Sequence, residues 1–120
     1  MLRLTRRAEF QAVARGKRVS RPGFVLQALP ASEAGPARFG FTVTKKIGNA
    51  VVRNRIRRRL REAVRLAGQN EAAAGTDYVL VGRRAALTLE FDRLVADLLS
   101  SLAALSGRGE EKRPEREARR

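Results

Sequence analysis

The stretch of the sequence most able to do chemistry is strongly basic. Residues 45–66, KKIGNAVVRNRIRRRLREAVRL, contain nine lysines and arginines and one carboxylate, Glu62, which gives this stretch a net charge of +8 out of +14 for the whole chain. A guanidinium group can hold two phosphate oxygens at once, and its plane can stack on a base. A charge of one sign concentrated in this way is typical of a nucleic-acid-binding surface.

The basic stretch also has the pattern of an amphipathic helix. Asn49 is a candidate N-cap, and the helical pattern holds to about Leu66 before Gly68 ends it. Like charges four residues apart weaken an isolated helix by roughly a few tenths of a kcal/mol per pair, so the pattern favours an external polyanion over a solvated surface. At about 100° per residue, the apolar arc contains Val52, Ile56, Leu60, Ala63, Val64 and Ala67. The opposite arc contains the stripe Arg53, Arg57, Arg61 and Arg65, widened by Arg55, Arg58 and Arg59.

The composition argues against catalysis by the protein itself. There is no His and no Cys, which removes the commonest general base and the commonest transition-metal ligands. The sequence shows no D-x-D motif, and no acidic residues are paired on adjacent predicted strands. An autonomous metal-dependent nuclease is therefore a disfavoured alternative. The aromatic content of 5% also argues against stacking along a long single strand as the main binding mode.

The chain has no segment that predicts membrane insertion or secretion. Its longest apolar stretches are far shorter than the roughly 20 residues of a membrane helix. The first residues, MLRLTRRAEF, lack the apolar centre of a signal peptide. We therefore expect a cytoplasmic protein.

Ahead of the basic helix, the sequence predicts one helix and two strands. RRAEFQAVAR follows the candidate N-cap Thr5, has apolar residues at helical spacing, and stops at Gly16. The apolar run FVLQALP, which ends at Pro30, indicates a strand, and RFGFTVT alternates apolar and polar residues as a second strand does. The simplest arrangement is an antiparallel pair joined by the loop ASEAGPA. The segment KRVS gives a weaker indication of a further strand.

Beyond the basic helix, a strand and a helix complete one domain. YVLVG, from Tyr78 to Gly82, is a short apolar strand. TLEFDRLVADLLSSLAAL repeats leucines at steps of three and four residues and predicts a helix capped by Thr88. Residues 106–120 have no apolar residue larger than Ala118 and predict a disordered charged tail. The domain is therefore expected to span residues 1–105.

The predicted order of elements is α-β-β-(β)-α-β-α, with the basic helix in a β-α-β crossover. This order indicates the α+β class and a two-layer sandwich of helices on a small mixed sheet. Charge alone does not distinguish RNA from DNA as the partner. A structural RNA-binding protein of the ribosome would share these features, whereas the recognition helix of a DNA-binding regulator usually mixes Asn, Gln, Ser and Thr with Arg, and here Asn54 is the only such residue among the arginines.

The residues KKIGNAVVRNRIRRRLREA, with FTVT directly before them, closely resemble the motif of the protein subunit of bacterial ribonuclease P. The likeness extends more loosely over about residues 1–105, through RLTRRAEFQAV, FVLQAL and DYVLVGRRAA. It implies a left-handed crossover around the basic helix. It also implies that the protein joins a large catalytic RNA, one protein per RNA, and that the complex removes the 5′ leader from precursor tRNA. The RNA would hold most of the Mg²⁺ and perform the chemistry, so the protein alone is expected to be inactive.

The resemblance also implies two binding surfaces. The contacts to the catalytic RNA would be Lys45, Lys46, Arg53, Asn54, Arg55, Arg57, Arg58, Arg61 and Arg65. A groove between the first helix and the sheet would take the single-stranded leader, with Phe10 as its first aromatic side chain, although Phe10 also suits a plain core position. The pattern departs from the family at Ala14 and Gln27, where aromatic residues are often found. Polar or backbone contacts near Gln27, Thr44 and Arg83 are therefore expected to matter more than stacking.

Overall fold

The computed structural model describes residues 1–31 and 34–106, which form five strands and four α-helices. The elements are β1 (Leu2–Arg3), α1 (Arg7–Ala14), β2 (Lys17–Ser20), β3 (Phe24–Pro30), β4 (Arg38–Thr42), α2 (Ala50–Ala63), α3 (Gln69–Glu71), β5 (Thr76–Gly82) and α4 (Phe91–Leu105). Two 3-10 turns, Lys45–Ile47 and Arg84–Leu87, precede α2 and α4, and a π-helical turn, Val64–Gly68, joins α2 to α3. No helix in these ranges is long and apolar enough to cross a membrane.

The strands form one mixed sheet in the order β1-β4-β5-β3-β2. β4 is parallel to both β1 and β5, while β3 is antiparallel to β5 and β2. The predicted pairing of β3 with β4 is wrong, because β5 lies between them. Four consecutive residues of β5, Asp77 to Leu80, are buried. A strand of this kind is best placed at the centre of the sheet, where both of its faces are covered.

The weakly indicated strand at KRVS is confirmed as β2. The two-residue strand β1 was not predicted, because two residues are too few to show an alternating pattern. β5 begins at Thr76, two residues earlier than the apolar run suggests.

The main core lies on one face of the sheet, beneath α2 and α4. Alternate residues of β3 and β5 point into it, and the rings of Phe39 and Tyr78 stack there with their centroids 5.2 Å apart. A smaller cluster of Leu4, Val13 and Val79 lies on the other face, beneath α1. The expected α+β sandwich is confirmed, with α2 and α4 as the main helical layer and α1 covering part of the opposite face.

The basic helix begins where the sequence predicts. Asn49 is its N-cap, and the Asn49 Oδ1 accepts the backbone N–H of Val52 at 3.0 Å. The predicted end at Gly68 is wrong, because the helical path continues through the π-helical turn to Glu71. Gly68 instead allows close helix packing, since a Cβ on it would lie 2.6 Å from Leu98 Cδ2 on α4.

The predictions of Thr5 and Thr88 as helix N-caps are wrong. Arg6, not Thr5, is the N-cap of α1, and the backbone N–H groups of both residues donate to Glu9 Oε1 at 3.1 and 3.2 Å. The carboxylate of Glu9, a residue of the first turn of α1, therefore accepts hydrogen bonds from two backbone N–H groups that precede the helix. Glu90 is the N-cap of α4, because a 3-10 turn that the sequence does not signal occupies the residues up to Leu87 and leaves Thr88 as its C-cap.

The crossover of β4, α2 and the parallel strand β5 is confirmed, and its left-handedness stays a prediction. The predicted tail lies outside the described residues, apart from Ser106 directly after α4.

Candidate RNA interface

The apolar arc of α2 is anchored as the sequence predicts. Ile56, Leu60, Ala63 and Val64 are buried in the main core. The helix is therefore held firmly on the sheet, and its remaining circumference is turned away from the core. The arginines on that circumference differ in what they contact.

Two arginines of α2 donate hydrogen bonds to backbone carbonyl groups nearby. Arg59 donates from Nη1 to the carbonyl of Ala86 at 2.6 Å and from Nη2 to that of Leu89 at 2.7 Å, which ties α2 to the turn before α4. Arg53 donates from Nε to the carbonyl of Gly48 at 3.0 Å. Arg59 therefore has a structural role, and Arg53 stiffens the turn that enters the helix.

Four cations of this region remain available to a ligand. Arg55 and Arg58 are exposed on α2, and Lys45 and Lys46 are exposed on the 3-10 turn before it. None of the four side chains makes a hydrogen bond or an ion pair with any other residue in the described part of the chain. These side chains can bind phosphates without giving up a contact in the protein.

Three further predicted residues are engaged with neighbours on the same helix. Arg57 Nη1 donates to Asn54 Oδ1 at 2.5 Å, which joins two predicted RNA contacts on one face. Arg65 donates from Nε and Nη2 to the two oxygens of Glu62 at 3.0 and 2.6 Å. The hydrogen bond from Arg65 lowers the pKa of Glu62, and its charge acts in the same direction. Arg65 is thus partly neutralised.

Arg61 is distinctive because its Nε is shielded from solvent yet has no hydrogen-bond partner among the described residues. The side chain as a whole is only half-buried.

The carboxyl ends of the parallel strands β4 and β5 gather more positive charge. Thr44 follows β4, directly before Lys45, and Arg83 follows β5; both are exposed. Arg83 Nη1 donates to the Arg21 carbonyl at 3.2 Å. Arg84 Nη1 donates to the Ile47 carbonyl at 2.6 Å and so fixes the turn that carries the lysines. Sequence reasoning missed Arg84, because a single arginine after a strand has no pattern that indicates its partner.

A groove of about 530 Å³ lies on the other face of the sheet, beside α1. Its lining is mixed, with apolar side chains, two amides, two hydroxyls and one cation but no carboxylate. The lining residues are Thr5, Arg7, Phe10, Gln11, Ala14, Gln27, Phe41, Thr42, Val79 and Val81. Such a surface suits a ligand with apolar faces, polar edges and negative charge.

The structure separates the four residues predicted for the leader. Phe10 and Gln27 line the groove, whereas Thr44 and Arg83 lie beyond it, each two residues past the groove residues Thr42 and Val81. The Phe10 ring also packs on β4, since a Cβ at Gly40 would lie 2.6 Å from its Cε2 and Cζ. Both readings of Phe10, as core residue and as groove residue, are therefore compatible with its position.

The acidic side chains offer little to a metal ion. Within residues 1–31 and 34–106, no group of three or more Asp, Glu, His or Cys side chains could hold a metal. Glu9 and Asp77 bind Arg38, and Asp97 binds Arg93. These three carboxylates are therefore engaged in ion pairs with arginines.

Comparison with known proteins agrees with this picture. The sequence model of the ribonuclease P family matches residues 1–106. The chain belongs to the ribonuclease P protein family. The ribonuclease P protein component of Gluconacetobacter diazotrophicus is 56% identical over 110 residues, which cover 91% of this chain and 95% of that protein.

Solved structures of the ribonuclease P family have the same fold. The RNase P protein from Thermotoga maritima superposes with a TM-score of 0.75 at 26% identity, over 89% of this chain and 100% of that chain. The RNase P protein of Staphylococcus aureus has a TM-score of 0.72 at 27% identity, over 88% and 96% of the two chains. The resemblance inferred from the sequence is confirmed, and membership of the family ties the chain to tRNA processing.

Proposed function

We propose that this protein is the RNA-binding subunit of ribonuclease P and that, with one catalytic RNA, it removes the 5′ leader from precursor tRNA endonucleolytically. The observation that carries this proposal is the group of four available cations on and before α2, Lys45, Lys46, Arg55 and Arg58. They are presented by elements that the core and the Asn49 cap hold in place. A positive surface that is ordered before binding loses little conformational entropy when it meets RNA.

The basic surface of α2 and the groove beside α1 bind different RNA segments in this proposal. The basic surface of α2 binds the catalytic RNA through Lys45, Lys46, Arg53, Asn54, Arg55, Arg57, Arg58, Arg61 and Arg65. The groove on the other face takes the single-stranded leader along Phe10 and Gln27, and Thr44 and Arg83 extend this path at the end of the sheet. The continuity of the groove with the basic end of the sheet supports this division.

The protein contributes binding and orientation, and the RNA performs the hydrolysis in the cytoplasm. Mg²⁺ supplies charge stabilisation and an activated water in phosphoryl chemistry. We propose that the RNA holds most of it, because the carboxylates in the described ranges are dispersed or bound to arginines. The protein's cations offset the repulsion between the leader and the catalytic RNA, and so strengthen substrate and metal binding.

The test is cleavage of a precursor tRNA at low magnesium by a bacterial ribonuclease P RNA, with and without this protein. We expect efficient cleavage only when both are present, and none from the protein alone. Cleavage by the protein alone would identify an autonomous nuclease. Tight RNA binding without stimulation of a cognate RNA would point instead to a scaffolding protein such as one of the ribosome.

A further inference from the structure

The two lysines before α2 are carried by a short 3-10 turn. Within this turn the backbone N–H of Ile47 donates to the Thr44 carbonyl at 3.1 Å, and the Ile47 side chain packs against the main core. The side chains of Lys45 and Lys46 are exposed and contact no partner in the described part of the chain, so they do not help to hold the turn. Where the two ammonium groups stand therefore depends on how the backbone around Ile47 is fixed.

Arg84 fixes that backbone from beyond the end of β5. Its Nη1 donates to the Ile47 carbonyl at 2.6 Å, a contact between residues 37 positions apart in the sequence. The next carbonyl, that of Gly48, accepts the Nε of Arg53 on α2 at 3.0 Å. Two consecutive carbonyls between the lysines and α2 are thus held by guanidinium groups from different elements.

The Arg84 contact closes a ring of three elements, which are α2 and the two 3-10 turns. Arg59 on α2 donates to the carbonyls of Ala86 and Leu89, in and directly after the turn Arg84–Leu87. Arg84 extends from the start of that turn to the turn before α2, which leads into α2 through the Asn49 cap. Contacts of this kind determine how precisely the side chains that meet a ligand are placed.

Resting on the proposed function, we propose that Arg84 is a positioning residue for the catalytic RNA: through the Ile47 carbonyl it holds the two lysines in place before the RNA binds. Ordering long side chains and their backbone at an interface costs binding free energy, and a turn that is fixed in advance avoids part of that cost. Without Arg84 the lysines still reach their phosphates, but the turn has to be ordered on binding. The affinity then falls while the number of phosphate contacts stays the same.

The experiment measures the affinity of the full chain for a bacterial ribonuclease P RNA in a double-mutant cycle. Arg84→Met should weaken binding by roughly 2- to 13-fold, the ordering cost of one long side chain. In protein that already carries Lys45→Met and Lys46→Met, the same change should have an effect of less than about twofold, because the turn then has no cation to position. An equal loss in both backgrounds would overturn the inference, since it would mean that Arg84 binds the RNA directly.

The salt dependence gives a second distinction between positioning and direct contact. Arg84→Met should leave the slope of log affinity against log salt unchanged, whereas a lost phosphate contact would reduce it by about 0.7–0.9 and overturn the inference. Arg83→Met is the matched control. It removes the same charge from the preceding residue, which holds the Arg21 carbonyl instead, and its effect should be equal with and without the two lysines.

A measurement on the free protein tests whether Arg84 holds the turn. In Arg84→Met the NMR order parameters of the Lys45 and Lys46 amides should fall toward the value of about 0.6 that marks flexible backbone, while the unfolding midpoint stays close to that of the wild type. Unchanged order parameters in the folded variant would overturn the inference. If Arg84→Met folds poorly, Arg84→Gln, whose side chain is too short to keep the same contact, provides the same test.

The outcomes separate this inference from the proposed function. A wild-type protein that binds the RNA and stimulates cleavage, but in which the effects of Arg84 and the lysines are additive, would overturn the inference alone. A wild-type protein that neither binds a cognate ribonuclease P RNA nor stimulates cleavage would overturn both proposals.

Discussion

Arg38 on β4 and Asp77 on β5 are joined by two parallel hydrogen bonds of 2.9 Å, from Nε to Oδ1 and from Nη2 to Oδ2. Arg38 Nη1 also donates to Glu9 Oε2 at 3.1 Å, and Glu9 accepts the backbone N–H groups at the start of α1. The three side chains therefore connect the two central parallel strands to the helix that forms one wall of the groove. Bonds to these two carboxylates raise the pKa of Arg38.

Removal of Arg38 should destabilise the protein measurably. Arg38→Met leaves the buried Asp77 without its partner, and we expect the free energy of unfolding to fall by about 1–3 kcal/mol. The loss is smaller than for a fully buried pair because the Arg38 side chain is 37% exposed and solvent screens it. Arg93→Met is the control, since it breaks an i,i+4 pair within α4 whose arginine side chain is 55% exposed, and such pairs are worth about 0.3–0.5 kcal/mol. Equal losses in denaturant unfolding would contradict the prediction.

The same cluster predicts a loss of stability in acid. The backbone N–H of Arg6, above all, lowers the pKa of Glu9 below its ordinary value of 4.5, and the bond and charge of Arg38 act in the same direction. Because the folded state holds this proton less tightly than the unfolded state does, the stabilisation is complete above pH 4.5 and is lost as the pH falls through the lowered pKa. Denaturant unfolding between about pH 6 and about pH 3 should show the decline. In Glu9→Gln the free energy of unfolding should fall less steeply as the pH is lowered. An unchanged dependence on pH would show that the titration of Glu9 is not the cause.

Arg58 and Arg59 are adjacent arginines with opposite expected roles. Arg59→Met should lower the free energy of unfolding by about 1–3 kcal/mol, because the carbonyls of Ala86 and Leu89 lose a charged donor. Arg58→Met should change it by less than about 0.5 kcal/mol, because the side chain is exposed and contacts no partner among the described residues. Thermal or denaturant unfolding of the two variants checks the difference. A comparable loss in both would show that Arg58 is structural.

Binding of the catalytic RNA should depend on Arg58 through counterion release. Arg58→Gln should weaken binding and reduce the slope of log affinity against log salt by about 0.7–0.9, the effect of one lost phosphate contact. Arg93→Gln removes the same charge from α4, away from the proposed surface, and should leave the slope unchanged. Filter binding or fluorescence titration over a range of salt concentrations measures both. Identical slopes for the two variants would indicate that only net charge matters.

Gly40 is expected to be required for the packing of α1. In Gly40→Ala the new Cβ would lie 2.6 Å from the Phe10 ring, and such overpacking typically costs about 1–3 kcal/mol of unfolding free energy. Phe10→Leu in the same protein should recover part of this loss, because a smaller side chain makes room for the methyl group. A double-mutant cycle measures the coupling. Additive effects of the two changes would show that the residues do not meet as described.

The sequence predicts the basic helix well because its properties are local. The cap at Asn49 and the buried arc through Ile56 and Leu60 depend only on spacing along one helix. The β3–β5 pairing depends instead on which strand can be buried on both faces, a property of the assembled sheet. The different roles of Arg58 and Arg59 depend on where the turn before α4 lies. Gln11 and Thr42, two further groove residues, were missed because isolated polar residues have no pattern.

Strand β5 belongs to both proposed surfaces, because Leu80 faces the core beneath α2 while Val79 and Val81 form the floor of the groove. The thickness of one sheet separates the two, so a ligand on α2 leaves the groove open, and neither ligand has to be released for the other to enter. An RNA assembly that occupies both surfaces must bend around the end of the sheet, past Lys45 and Arg83. The domain would then act as a wedge that sets the angle and spacing between the two RNA segments.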